Sequence, residues 1–111
     1  MTFKLKEWIA NVTETLTLLK HINSVAGYSC PANGTLDITV PAYSKFIIFG
    51  NGAGSSKIVA LVNATSDGTI TNLKIAGATN MTLTNGTGKV TINNGYGGAM
   101  SVLVIDYRAN A

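Results

Sequence analysis

The chain has 111 residues, a formal net charge of +3 and only 12% charged side chains. That length suits one domain with a small core, and the basic residues stand singly, which excludes the concentrated patch that nucleic-acid binding needs. No apolar run reaches the ~18 residues of a membrane span, and Lys4, Lys6 and Glu7 break any signal-peptide core, so a product made in a cytoplasm is expected.

Residues 4–22 read as a helix. Leu5, Ile9, Val12, Leu16 and Leu19 recur at steps of four and three, the spacing of a coiled-coil seam. Mostly polar residues separate them, with Trp8 and Leu18 widening the apolar side. Such a seam suits sister helices of an oligomer; the alternative is packing on the chain's own sheet. Branched and unbranched residues are mixed along it, which leaves the number of helices open. His21 falls on the outermost position at the helix C-terminus, and Asn23 and Ser24 end the pattern. Residues 1–24 are therefore an oligomerisation helix and 25–111 a head domain.

Eight short strands follow at regular spacing, which predicts an antiparallel β-sandwich. They cover residues 25–30, 35–40, 44–49, 57–63, 69–75, 80–84, 89–93 and 99–107. Pro31, Asn33 and Gly34 stop the first, and Pro41 stops the second. The run from Asn51 to Ser56 reads as a loop after the third. The fifth strand changes phase between Ile70 and Leu73, which suggests a bulge near Thr71 and Asn72. Asn85-Gly86 is a hairpin-turn signal between the sixth and seventh.

The strands are of two kinds. The second, sixth and seventh alternate apolar with polar residues, so one of their faces is wet. The third (Phe46 to Phe49), fourth (Ile58 to Val62) and eighth (Val102 to Ile105) are apolar on both sides. Such strands need cover on both faces. One cover is the sandwich core. The chain holds no second helix for the other, so copies of the chain are expected to supply it.

Catalytic machinery is not expected. Glu7, Glu14, Asp37, Asp67 and Asp106 form no pair placed for glycosidic chemistry. Asp106 reads as an end-of-strand ion pair or a wet strand edge. Cys30 and His21, the only residues of their types, give no metal-ligand cluster, and no glycine run opens a helix for a phosphate. No cofactor or metal follows. If every strand reverses the last, the loops at 31–34, 51–56, 76–78 and 94–98 share the end away from the helix. Loops on a rigid scaffold commonly carry recognition. Asn51, Ser55, Asn94 and Tyr96 are the ligand-binding candidates there, Tyr96 offering an aromatic face with amide neighbours.

Three stretches, Gly34-Thr35-Leu36-Asp37-Ile38-Thr39-Val40-Pro41, Gly50-Asn51-Gly52 and Lys89-Val90-Thr91-Ile92-Asn93-Asn94, sit behind a short N-terminal helix. This text resembles trimeric tail-fibre and receptor-binding head domains of tailed bacteriophages, as found in prophage tail proteins of gut bacteria. The resemblance implies a jelly-roll-like sandwich, a homotrimer, a place in the virion tail and attachment to a host-surface polysaccharide, with other tail proteins as further partners. Two other readings remain: a structural or assembly virion protein without ligand, and a bacterial lectin-like adhesin domain.

Overall fold

The structure is a computed structural model that describes residues 5–53 and 56–107; within the helix, the side chains of residues 15–20 lie outside that description. One helix, α1 (Leu5–Lys20), leads into eight strands: β1 (Ile22–Cys30), β2 (Thr35–Thr39), β3 (Lys45–Gly52), β4 (Lys57–Ala64), β5 (Ile70–Gly77), β6 (Met81–Gly86), β7 (Lys89–Asn94) and β8 (Met100–Tyr107). All pairings are antiparallel. The strands form a five-stranded sheet, β1-β8-β3-β4-β5, facing a three-stranded sheet, β2-β7-β6. The protein is thus mainly β, with a short N-terminal helix.

The core lies between the sheets. Ile48 of β3, Ile58 and Ala60 of β4, and Met100 and Val102 of β8 meet Ile38, Val90, Ile92 and Met81 of the small sheet. Leu36, Ile70 and Leu83 pack around them. The open edge between β5 and β6 is closed by side chains. The Asn72 amide donates to Asn85 Oδ1 (2.6 Å), Asn85 donates to Ile70 O (3.0 Å), and Lys74 Nζ donates to the carbonyls of Ala78 (3.0 Å) and Met81 (2.9 Å).

Those bonds correct two expectations. Asn85 and Gly86 do not form the β6–β7 turn; they pair with Val90 and Lys89, and the chain reverses at residues 87–88. The Asn85 amide is committed to the neighbouring edge, so it stays in the strand. Nor does β5 bulge at Thr71 and Asn72, which pair regularly with Asn63 and Val62. Ile70 pairs with buried Ala64 and Leu73 with outward Leu61, so the phase change marks two residues serving opposite faces. The irregularity falls between Val59 and Ala60, opposite Ile75.

Other boundaries shift as well. The strand β1 starts at Ile22, not residue 25, and His21 leaves the helix. The imidazole stacks at a tilt on Tyr107, with ring centroids 5.5 Å apart, at the joint between helix and sheet. Asn23 sits in a register shift of β1 and donates to Asp106 Oδ2 (2.9 Å). Asp106 is therefore a buried carboxylate bound by an amide from the neighbouring strand. The strand β3 runs on through Gly50, Asn51 and Gly52, because β4 and β8 extend alongside to pair with them. A Cβ on Gly50 would lie 2.6 Å from Met100 Sδ, so the glycine makes room for a buried methionine.

Candidate functional site

Two surfaces of the sandwich carry candidate residues, the loop end far from the helix and the outward face of the large sheet. At the far end, Pro31 ends β1 and the chain turns back through Asn33, whose φ of 52° is tolerated by an asparagine. Asn33 N–H donates to Tyr96 O (2.8 Å), and Asn94 N–H donates to Gly34 O (2.9 Å). Gly95 N–H donates to Asn80 O (2.9 Å). Ser56 Oγ donates to Gly98 O (3.3 Å). The loops at 31–34, 78–80 and 94–98, with Ser56, therefore meet at one end, as alternating strand direction predicts, although the expected loop at 76–78 lies two residues later because Ala76 and Gly77 belong to β5.

Asn94 is the hub of that end. It is 2% exposed. Its Nδ2 donates to Gly98 O (2.8 Å) and Pro31 O (3.2 Å), and its Oδ1 accepts from Tyr96 N–H (3.1 Å). A buried amide so engaged holds loops together. Tyr96 is half-buried, with its ring against the core. The structure thus brings Asn94 and Tyr96 together. It separates them from Asn51, which is exposed on the outer side of β3, paired with Lys57 and Ser101. Ser55 lies outside the described residues. Cys30 is fully buried beneath these loops, and burial pushes its thiol pKa up.

The second surface follows from strand register. The outward residues of the large sheet line up in rows across it. One row is Val25, Ile105, Ile47, Leu61 and Leu73; the next is Gly27, Leu103, Phe49 and Val59. A polar row, Ser29, Ser101, Asn51 and Lys57, flanks them toward the far end, and toward the helix a mixed row holds Lys45, Asn63 and Thr71 beside Tyr107 and Ile22. Among the described residues nothing covers the apolar rows. Leu73 is 60% and Val25 57% exposed. The exposed apolar area is on the order of 500 Å², at the upper end of what single soluble chains show. A groove of about 320 Å³ runs along it, lined by Ile47, Leu61, Leu73 and Tyr107 among others.

The helix repeats this situation. Leu5, Ile9 and Val12 of the predicted seam are exposed, as is Trp8. The Leu16 and Leu19 side chains lie outside the described residues. The seam's described half does not pack on the chain's own sheet.

The aspartates lie apart. Asp37 stands exposed on the small sheet, where hydrogen bonds from Thr91 Oγ1 (2.7 Å) and Lys89 Nζ (3.0 Å) hold its pKa below the ordinary carboxylate value. Asp67 occupies the turn before β5; the Thr65 hydroxyl and Thr69 N–H bring it down to about 2. Asp106 is inside the large sheet. Sequence reasoning passed over Tyr43, which is 70% exposed with a left-handed φ of 66° in the loop before β3. It passed over Val25, Leu73 and Ile75 as well, which extend the apolar face to both edges. Their own strands carry too few apolar residues to mark them as two-sided.

Fold and surface together define a two-sheet β-sandwich on a helical stem, with an uncovered apolar sheet. No family model matches the chain, and no curated protein matches it. Among solved structures it is similar to a tailspike protein, gp49 of the Acinetobacter baumannii bacteriophage Fri1, a capsular polysaccharide depolymerase. The identity is 12% over 78% of this chain, with a TM-score of 0.49. The match takes in 17% of the tailspike, so this chain spans about one sixth of its length.

Proposed function

We propose that this chain is a self-associating attachment module of the phage tail-fibre kind, a homotrimer that presents its far-end loops to a host cell-surface glycan. The observation that carries the reading is the row of uncovered apolar residues across the large sheet. An exposed helical seam and an exposed apolar sheet on one chain are both satisfied by a ring of copies around one axis. In such a ring the helices meet along Leu5, Ile9, Val12, Leu16 and Leu19, and the outer sheets close against one another. The loops gathered around Asn94 then point away from the stem. On this reading the sandwich is a jelly-roll variant: β1–β8 and β2–β7 pair as adjoining strands of the two sheets, and β4 and β5 continue from β3. Its setting is the virion tail, with other tail proteins as neighbours, and its action is binding, not catalysis.

Light scattering on the purified chain tests the assembly. A mass near three times 11.5 kDa is expected; a single-chain mass at all concentrations overturns the proposal. Titration with bacterial capsular and lipopolysaccharide glycans tests the ligand. Tyr96→Phe keeps the ring against the core and removes the hydroxyl, and is expected to weaken binding severalfold. A specific observation favours a second reading, that of a structural virion protein without ligand: the Asn94 amide is spent inside the chain. An assembled protein that binds no glycan supports that reading.

A further inference from the structure

One strand glycine has no purpose within its own chain. Gly50 makes room for Met100, Gly52 for the carbonyl of Ala99, Gly77 has a φ of 136°, and Gly86 lies against the Lys89 side chain. Gly27, in the middle of β1, has an ordinary φ, and a Cβ built on it meets nothing within 4 Å. A glycine inside a strand weakens it and marks places where another backbone or ligand comes close. Gly27 lies on the apolar face, in one row with Leu103 and Phe49. Over it opens a groove of about 600 Å³, lined also by Ser29, Asn51 and Ser101.

We propose that a second copy of this chain seats an apolar side chain in the notch above Gly27, so that the β1–β8–β3 corner of the large sheet is the specific contact between subunits. The inference rests on the self-association proposed above and names where it is decided. Three features select a second copy as the occupant. The first is area. Five strands at ~4.8 Å spacing and about eight residues at ~3.3 Å rise make a face of roughly 600 Å². A copy that buries this face in a ring removes roughly 600 Å² of its own surface from water, about the share per partner of the smallest stable specific interfaces. The second is layout, since a wholly polar row, Ser29, Ser101, Asn51 and Lys57, borders the apolar rows on the notch side, the arrangement of an interface core and rim. The third is supply. The chain carries its own unpartnered apolar side chains, on the helix and on this same face, so a copy brings the knobs the notch requires.

The test is the concentration at which the assembly dissociates, followed by analytical ultracentrifugation of the full chain. Gly27→Val and Gly27→Tyr place a Cβ where no atom of the chain lies within 4 Å and send the rest of the side chain into the notch, and their circular dichroism and thermal midpoint check that they fold. Both are expected to raise the dissociation concentration, by about tenfold or more for tyrosine, since overpacking a seated contact costs that much. Thr84→Val, on the outward side of the small sheet, is expected to leave it unchanged. An assembled wild type with folded Gly27 variants that dissociate at the same concentration overturns this inference and leaves self-association standing. A wild type that is a single chain at every concentration overturns both.

Discussion

The two outward faces of this sandwich differ in kind. On the small sheet, Thr35, Asp37, Thr91, Asn93, Thr82 and Thr84 point out. They bond to one another: Thr91 and Lys89 to Asp37, and the Asn93 amide to the hydroxyls of Thr82 and Thr84, both at 3.1 Å. That face is made for water. On the large sheet the corresponding positions hold Val25, Leu103, Phe49, Leu61 and Leu73, with no polar ladder among them. Both faces sit on the same core and face the same solvent in a single chain. An outward surface of this composition has no folding purpose that the small sheet does not meet with threonine and asparagine. The difference teaches that apolar residues on a strand report what lies across from them; on the self-association proposed above, the layer across from the large sheet is another copy of the chain.

Three sets of substitutions break or sharpen this contrast. The largest effect is expected in the layer both faces share. Ile48→Ala, at a fully buried position of β3, is expected to lower stability by about 3 kcal/mol, through lost transfer energy and the cavity left behind. Urea unfolding measures it. The equivalent loss at outward Leu61, read where the protein is dilute enough to be single chains, is expected to be about 1 kcal/mol, because two-fifths of that side chain is exposed. Equal losses at the two positions would erase the distinction between the faces.

Next comes charge. Leu61→Asp places a carboxylate in the apolar rows and is expected to reduce the light-scattering mass to a single 11.5 kDa chain, with circular dichroism preserved. Thr84→Asp on the small sheet is expected to leave the mass unchanged. A like response from both would mean that the apolar face is not where copies meet.

The smallest effect concerns pH. Asp37 has a lowered pKa in the folded protein, caused first by the Thr91 hydroxyl and then by Lys89. Its unfolded value is ~3.9. The carboxylate therefore contributes stability that is complete above the unfolded value and is lost as pH falls through the folded one. Asp37→Asn is expected to flatten the decline in urea midpoint between pH 5 and pH 2.5 slightly, since the pair is exposed. An unchanged slope would show that the polar ladder on that face adds nothing to stability.

Much of the fold was legible because it is local. Alternation with period two marked Leu36, Ile38, Val90 and Ile92 as inward on strands with one wet face, and the apolar pairs in β3, β4 and β8 marked both of their sides. Strand parity alone gathered the loops at 31–34 and 94–98. The site was less legible. Asn94 and Tyr96 read from sequence as ligand-binding candidates on the far-end loops; the structure adds that the Asn94 amide is engaged by Pro31, Gly98 and Tyr96 and that half-buried Tyr96 packs on the core. Asn51 was assigned to a loop and lies in a strand. Each of these outcomes depends on a partner remote in sequence, such as Pro31 for Asn94 or Ser101 for Asn51.

The sequence by itself determined the order of elements, the two kinds of strand and the surplus of apolar residues, because each follows from the side-chain period of a single strand. Only the tertiary structure decided which five strands share a sheet and which polar side chains are consumed in holding loops. It alone lined up Val25, Ile105, Ile47, Leu61 and Leu73 into one surface. Register between strands is set by hydrogen bonds across gaps of tens of residues, and no local pattern carries that information.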